Sequence, residues 1–359
     1  MTWRRNWLCL AGFDVKAPFP WFGGKSRVAS TVWQRFGDVP NYVEPFAGSL
    51  AVLLDRPTAP GIETVNDIDG LLANFWRSVA LQPDEVARWA DWPVSECDLH
   101  ARHLWLVGQI AGLADRLCAD PDWCDPKIAG WWVWGLCSWI GSGWCSGNGP
   151  WTALDGVLVK GDAGQGINRQ LPHLGNAGQG INRKLSHLGD AGRGIKRKLP
   201  HLGDAGRGIN RQETAILDTM RELSQRLRGV RICQGDWTRV CGESVTTSCV
   251  RREAMLTGVF LDPPYLSAET AGDLYRTDSV DVAHAVREWA IANGGNRLMR
   301  IALCGYEGEH EMPSDWECVA WKAQGGMGSQ RADKSNGNAG RERIWFSPHC
   351  LSGKQGSLF

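Results

Sequence analysis

Asp262-Pro263-Pro264-Tyr265 follows the apolar run Val259-Phe260-Leu261, so a buried strand delivers an acid to its carboxyl end. The two prolines hold the backbone extended and remove N–H donors. What is left is a carboxylate on Asp262, a carbonyl on Pro263 and a flat ring on Tyr265. An amino group attached to an aromatic ring suits this set. Its lone pair is delocalised into the ring, which makes it a poor nucleophile. Two acceptors that take both of its N–H bonds favour a pyramidal nitrogen and stabilise the positive charge that develops as an electrophilic group arrives. Tyr265 can stack on the ring and hold it in line. Taken alone, the tetrapeptide also reads as a Pro-Pro turn after a buried strand.

Two further segments carry ligand-binding chemistry. In Tyr42-Val43-Glu44-Pro45-Phe46-Ala47-Gly48-Ser49 a strand enters a small-residue turn and then a short helix, Leu50–Leu54. Gly48 lets backbone approach a ligand closely, as glycines do in nucleotide-binding first turns. Asp67 ends the next strand, where an acid commonly bonds ribose hydroxyls. Pro18-Phe19-Pro20-Trp21-Phe22-Gly23-Gly24-Lys25-Ser26 ends like a phosphate-binding loop. That loop needs glycine where Phe19 stands, and Pro18 and Pro20 remove donors it would use. Lys25 is instead placed to meet the carboxylate of an amino-acid-like ligand at the start of a helix.

The elements that must position these residues alternate. Lys25–Phe36 reads as an amphipathic helix with Val28, Val32 and Phe36 on one stripe and Ser26 as N-cap. Strands are expected at Asn41–Phe46 and Ile62–Asp67, and a helix at Gly70–Ala80. After Arg211 a helix is expected over Glu213–Arg228, with Ile216, Met220, Leu223 and Leu227 at helical spacing. Strands follow at Val230–Gly235, Gly258–Asp262, Leu298–Cys304, Glu317–Trp321 and Arg343–Phe346, with a helix at Val282–Ala292. Such alternation predicts a mostly parallel sheet covered on both faces.

The middle of the chain differs. Pro83–Trp151 holds half of the tryptophans, among them Trp131, Trp132, Trp134, Trp139 and Trp144. They predict a compact aromatic satellite core, with nucleic-acid stacking as the alternative for a few. A fourteen-residue repeat follows: GDAGQGINRQLPHL at Gly161–Leu174, GNAGQGINRKLSHL at Gly175–Leu188, GDAGRGIKRKLPHL at Gly189–Leu202, and a fourth copy begun at Gly203–Gln212. Each copy has only Ile and two Leu to bury, so a flexible extension is expected. Arg183, Lys184, Lys196, Arg197 and Lys198 are its candidate phosphate contacts, set against sparse Asp162, Asp190 and Asp204. One histidine recurs per copy without a neighbouring second ligand.

Whole-chain charge is balanced, with 39 Lys+Arg and 39 Asp+Glu, so the molecule as a whole is not an obvious polyanion binder, although that total can hide a local basic face. Cys118 with Cys124, or Cys137 with Cys145, could ligate a metal, but no Cys/His cluster has structural-zinc spacing. Reduced thiols and no bound metal are the expectation. The apolar run Trp7–Phe13 is short for a signal peptide, and no stretch approaches the ~20 residues of a membrane span. A soluble, cytoplasmic protein is expected.

The three segments, in this order, resemble the Dam-like (D12 class, α group) adenine-N6 DNA methyltransferases. The pattern W-x-G-G-K is met by Trp21, Gly23, Gly24 and Lys25; E-P-F-x-G-S by Glu44, Pro45, Phe46, Gly48 and Ser49; the strand-end N-D by Asn66 and Asp67; and D-P-P-Y by Asp262 to Tyr265. The resemblance implies a Rossmann-like seven-stranded α/β sheet, mostly parallel with the last strand antiparallel, and an inserted recognition domain. It implies S-adenosyl-L-methionine as donor, held by Trp21, Gly24, Lys25, Glu44, Phe46, Gly48, Ser49 and Asp67, with Asp236 and Trp237 beside its adenine. Asp262, Pro263, Pro264 and Tyr265 are then the catalytic set acting on a flipped adenine in double-stranded DNA. Arg341–Pro348 resembles the closing antiparallel strand. Two departures stand out: Gly48-Ser49-Leu50 lacks the second glycine of many members, and the repeat has no family counterpart.

The resulting map is an N-terminal extension at 1–16, a catalytic domain at 17–82 and 213–350, a Trp-rich recognition region at 83–160, the basic repeat at 161–212 and a tail at 351–359. The host implied is a bacterial cell or a phage-infected one, with a cognate restriction nuclease as an optional partner and a monomer compatible with the sequence. RNA adenine methylation is the nearest rival. A catalytically inert DNA-binding relative is another, and intact Lys25, Asp67, Asp262 and Tyr265 argue against it. A glutamine-modifying enzyme would carry Asn at the position of Asp262.

Overall fold

A computed structural model describes residues 15–19, 21, 23–120, 122–139, 144–145, 151–154, 157–160, 209–247, 255–265, 280–321 and 340–352. In chain order the elements are α1 Ala29–Phe36, β1 Asn41–Glu44, α2 Ala51–Leu54, β2 Ile62–Asp67, α3 Gly70–Leu81, α4 Pro83–Ala90, α5 Glu96–Gln109, α6 Leu113–Ala119 and α7 Pro126–Ser138. There follow β3 Trp151–Leu154, β4 Val157–Lys160, α8 Ile209–Leu227, β5 Val230–Gln234, α9 Thr238–Cys241, α10 Glu243–Thr246, β6 Thr257–Leu261, α11 Val280–Gly294, β7 Met299–Tyr306, β8 Glu317–Ala320 and β9 Glu342–Phe346.

Seven strands form one sheet in the order β5-β2-β1-β6-β7-β9-β8. β1, β2, β5, β6 and β7 pair in parallel, and β9 runs antiparallel to both β7 and β8. This is the expected α/β sheet with its last strand reversed. The central strands β1 and β6 are buried at every position, as strands covered on both faces must be. Chain order reverses at β1, whose neighbours are β2 on one side and β6 on the other. A crevice therefore opens at the carboxyl ends of these strands.

Most predicted elements appear within a few residues of their expected bounds, and the deviations have local causes. The first helix begins at Ala29, not Lys25, and its N-cap position is Val28 without a side-chain bond, so Ser26 does not cap it. Lys25 lies in the turn before it, where its carbonyl accepts from Val28 N and Ala29 N. The helix after β1 starts at Ala51 because Leu50 adopts φ 55°, ψ 26°. That left-handed backbone, which disfavours a side chain, falls on the very turn that lacks a second glycine. Leu50 is fully buried, and its packing offsets the strain.

The second half of the sheet is tied to the first through α8. Ile216, Met220, Leu223 and Leu227 are all buried as their spacing predicts. Arg226 on α8 forms a bidentate pair with Glu63 of β2 at 2.6 and 2.9 Å, and Arg56 adds a third contact at 3.2 Å. α8 starts at Ile209, inside the fourth repeat copy, four residues before the expected helix. Repeat positions 161–208, with Arg183, Lys184, Lys196, Arg197 and Lys198, lie outside the described residues, as does the extension at 1–14.

The tryptophan-rich region is helical, followed by the β3–β4 hairpin. α7 packs on α3 and α4, and α4 and α3 in turn pack on α8. Ser95 and Asp125 cap α5 and α7 with side-chain oxygens, and Pro126 occupies the first turn of α7. A satellite cluster of Leu99, Trp134 and Trp139 exists, with Trp144 packed on it, but Trp132 joins the main core. There it meets Phe19 at 5.4 Å, and Phe19 also contacts Phe75 at 5.3 Å. Phe19 is thus a core side chain, which accounts for its bulk where a phosphate loop would need glycine. Among the described residues no helix is long and apolar enough to cross a membrane.

Candidate active site

The crevice at the strand ends is a cleft with about 1010 Å³ of free space, open to solvent. All three sequence segments reach it. Trp21, Gly24 and Lys25 come from the first; Glu44, Phe46, Gly48 and Ser49 from the second; Asp262 and Pro264 from the third. Asp67 at the end of β2 and Asp236 and Trp237 after β5 complete the wall. Pro263 is buried, and neither it nor Tyr265 lines the cleft.

The glycine turn after β1 is held from two sides. Ala47 N donates to Asn66 O at 2.8 Å, and Gly48 N donates to the Asp67 carboxylate at 3.1 Å. Gly48 has φ +46°, and a Cβ there would stand 2.6 Å from the indole nitrogen of Trp21, so glycine is required twice over. Asn66 Nδ2 donates to Pro45 O and Gly235 O, fastening the turns after β1 and β5 to the end of β2. Its Oδ1 is buried and has no partner among the described residues. Phe46 and Trp237 are stacked at 6.2 Å.

Burial governs the acids of the wall. Glu44 is almost wholly buried and accepts from Tyr42 Oη at 2.9 Å, and desolvation pushes its carboxyl up to about 8. Desolvation likewise pushes Asp67 up to about 6, against the opposing bonds from Asp69 N and Gly48 N. Both carboxyls sit at the edge of a cleft, a common place for perturbed groups with a binding role.

At the third segment, Lys25 and Asp262 meet directly. Lys25 Nζ lies 2.8 Å from Asp262 Oδ2 and donates to Gly23 O at 2.7 Å. Burial alone would depress the Lys25 ammonium, but the carboxylates of Asp262 and Glu342 outweigh it and raise the group. The carboxylate Lys25 meets in this structure is therefore the protein's own. Tyr265 turns its hydroxyl toward Asp262 Oδ1 at 3.1 Å and Glu342 Oε2 at 2.9 Å, and its ring stands edge-on to Tyr306 at 4.6 Å.

Glu342 was not among the residues expected at the site. The signal for it was present in the strand: positions 342, 344 and 346 share one face by period two, and Ile344 and Phe346 make that face buried. An acid on such a face needs a partner, and Tyr265 supplies it.

Strand order, a crevice at the reversal point, a glycine turn and a strand-end acid define a Rossmann-like methyltransferase fold. Residues 21–90 match the family model of D12 class N6 adenine-specific DNA methyltransferases, which bears out the family resemblance and supports methyltransferase activity. No curated protein matches the chain.

Proposed function

We propose that this chain is an S-adenosylmethionine-dependent DNA methyltransferase acting on the exocyclic N6 amine of adenine. The observation that carries the reading is that the Asp262 carboxylate opens onto the same cleft as the glycine turn at Gly48 and the acid Asp67. An amine acceptor and a nucleoside-type cradle within one cavity fit transfer between them.

The wall suits the donor in its chemistry. Asn66 Oδ1, buried and without a partner among the described residues, can accept a hydrogen bond from a ligand, and glycine at position 48 leaves room for the Trp21 indole to pack against the turn and form part of the wall. Trp21, Phe46 and Trp237 offer apolar rings, while Gly24, Lys25, Glu44, Ser49, Asp67 and Asp236 offer polar contacts to an amino acid and a ribose. When bound, the donor supplies a sulfonium-activated methyl group.

The chain's own part is to hold the base and its amine. Asp262, on the cleft wall, accepts one amine N–H of an adenine flipped out of the duplex; the second N–H is assigned to the Pro263 carbonyl and support of the ring to Tyr265, neither of which lines the cleft in this structure. Each carboxylate oxygen has two lone-pair sites, so Asp262 can keep Lys25 on Oδ2 and Tyr265 on Oδ1 and still accept an amine N–H on Oδ1. In the same reading residues 83–160 recognise the target sequence, and the basic repeat adds phosphate contacts that carry no sequence information.

Incubation with isotopically labelled donor and plasmid DNA, followed by nucleoside analysis and site mapping, tests the proposal. Label is expected in N6-methyladenine at defined sites. Label confined to cytosine, RNA or protein, or none at all, would refute it.

A further inference from the structure

Glu342 meets the Tyr265 hydroxyl, off the cleft wall, from a strand that no binding motif includes. It opens β9, is 4% exposed, and stands in register with Tyr306 of β7. Asp262 Oδ1, Tyr265 Oη and Glu342 Oε2 form a row of three oxygens with separations of 3.1 and 2.9 Å. Two O···O contacts are both satisfied only by two protons, and the hydroxyl carries one. The row has room for one more.

Methylation of an aromatic amine produces one proton. The new N–C bond forms, the carbon's former bond breaks with its electron pair going to the leaving group, and nitrogen must then shed an N–H proton to become neutral. Resting on the adenine-N6 reading above, we propose that this proton leaves through Tyr265 to Glu342. It passes from the amine to Asp262 Oδ1 and from there to Tyr265 Oη, whose own proton moves to Glu342 Oε2. The net change is one proton moved from nitrogen to Glu342, with the row filled and no charge created in the interior.

The surroundings favour Glu342 as the terminus. Burial raises its carboxyl above the ordinary range; the Lys25 ammonium opposes this, and the Asp262 carboxylate adds to it. The other groups facing this cluster are Cys304, whose thiol burial pushes far up, Glu44, whose carboxyl burial pushes up to about 8 and which titrates alike in wild type and both variants, Tyr306, Glu309 and Arg341. Glu342 does not touch the base; it acts through Tyr265 as a positioning residue.

Single-turnover methyl transfer to plasmid DNA, followed across the acid and neutral range, tests the relay in wild type, Glu342→Gln and Tyr265→Phe. Glutamine can still accept the Tyr265 hydrogen bond but takes no proton, so a merely structural role would survive that change. Wild type is expected to lose rate as the pH falls and Glu342 fills. Glu342→Gln should flatten that limb and lower the plateau by about 100-fold, with donor affinity unchanged. Tyr265→Phe keeps the ring, removes the bridge and should lose the same limb. A Glu342→Gln protein with the wild-type plateau and limb overturns the relay; if that variant does not fold, a Tyr265→Phe protein with both intact does so. A wild type that methylates no adenine overturns the adenine-N6 reading and the relay together, whereas an active wild type with unchanged variants overturns the relay alone.

Discussion

Replacing Glu44 by glutamine should remove a large part of the pH dependence of stability near neutrality. Glu44 is 2% exposed, and burial raises its carboxyl from 4.5 to about 8. The folded protein therefore holds a proton that the unfolded chain releases. This contribution is fully present below pH 4.5, shrinks as pH rises, and is gone above about 8. At about 1.4 kcal/mol for each tenfold change in proton affinity, the gap corresponds to roughly 5 kcal/mol over the whole window. Solvent screening does not reduce it, because the group lies inside. Glutamine is neutral throughout and still accepts the hydrogen bond of Tyr42, so the variant should gain on wild type steadily from the acid side to the alkaline side. Urea unfolding followed by tryptophan fluorescence at several pH values measures this. Asp67 is shifted in the same direction, so the difference between the two proteins, and not the wild-type curve, isolates Glu44. A difference constant to within about 1 kcal/mol across the window would refute the claim that Glu44 is neutral in the folded state at pH 7.

Three other outcomes are expected. Asp262→Asn should lower methyl transfer by about 100-fold or more while donor binding measured by calorimetry persists, because Asp262 is assigned to the acceptor amine. Gly48→Ala introduces a Cβ 2.6 Å from the Trp21 indole nitrogen at φ +46°, and should cost about 1–3 kcal/mol in chemical denaturation and weaken donor binding. Shortening the repeat to one copy while keeping Ile209–Gln212, which start α8, should weaken DNA affinity at low salt and flatten its salt slope, with the rate at saturating DNA retained. An unchanged slope in a filter-binding titration would show that the repeat does not meet phosphates.

Much of the sheet was legible because its strands are short apolar runs bounded by turn residues, and Ile62–Asp67 was read to the residue. Helices with a clear stripe, such as α8, were equally plain. The helices of residues 83–138 were harder. Tryptophan there faces both the main core and a satellite core, which blurs the 3.6-residue period, although Ser95 and Asp125-Pro126 carried ordinary start signals. Lys25 was read as opening a helix because helical spacing follows it, whereas its bond geometry belongs to the preceding turn.

Residue type and spacing alone determined which side chains can do chemistry: an acid before two prolines, a glycine in a turn after a strand, an acid closing the next strand. These are properties of a few bonded neighbours, so they are written in the chain. Tertiary structure alone decided that Lys25 spends its charge on Asp262, that burial raises the Glu44 carboxyl, and that Glu342 stands 2.9 Å from Tyr265. Those outcomes depend on distance through space and on exclusion of water, and neither is set until β6, β7 and β9 lie side by side.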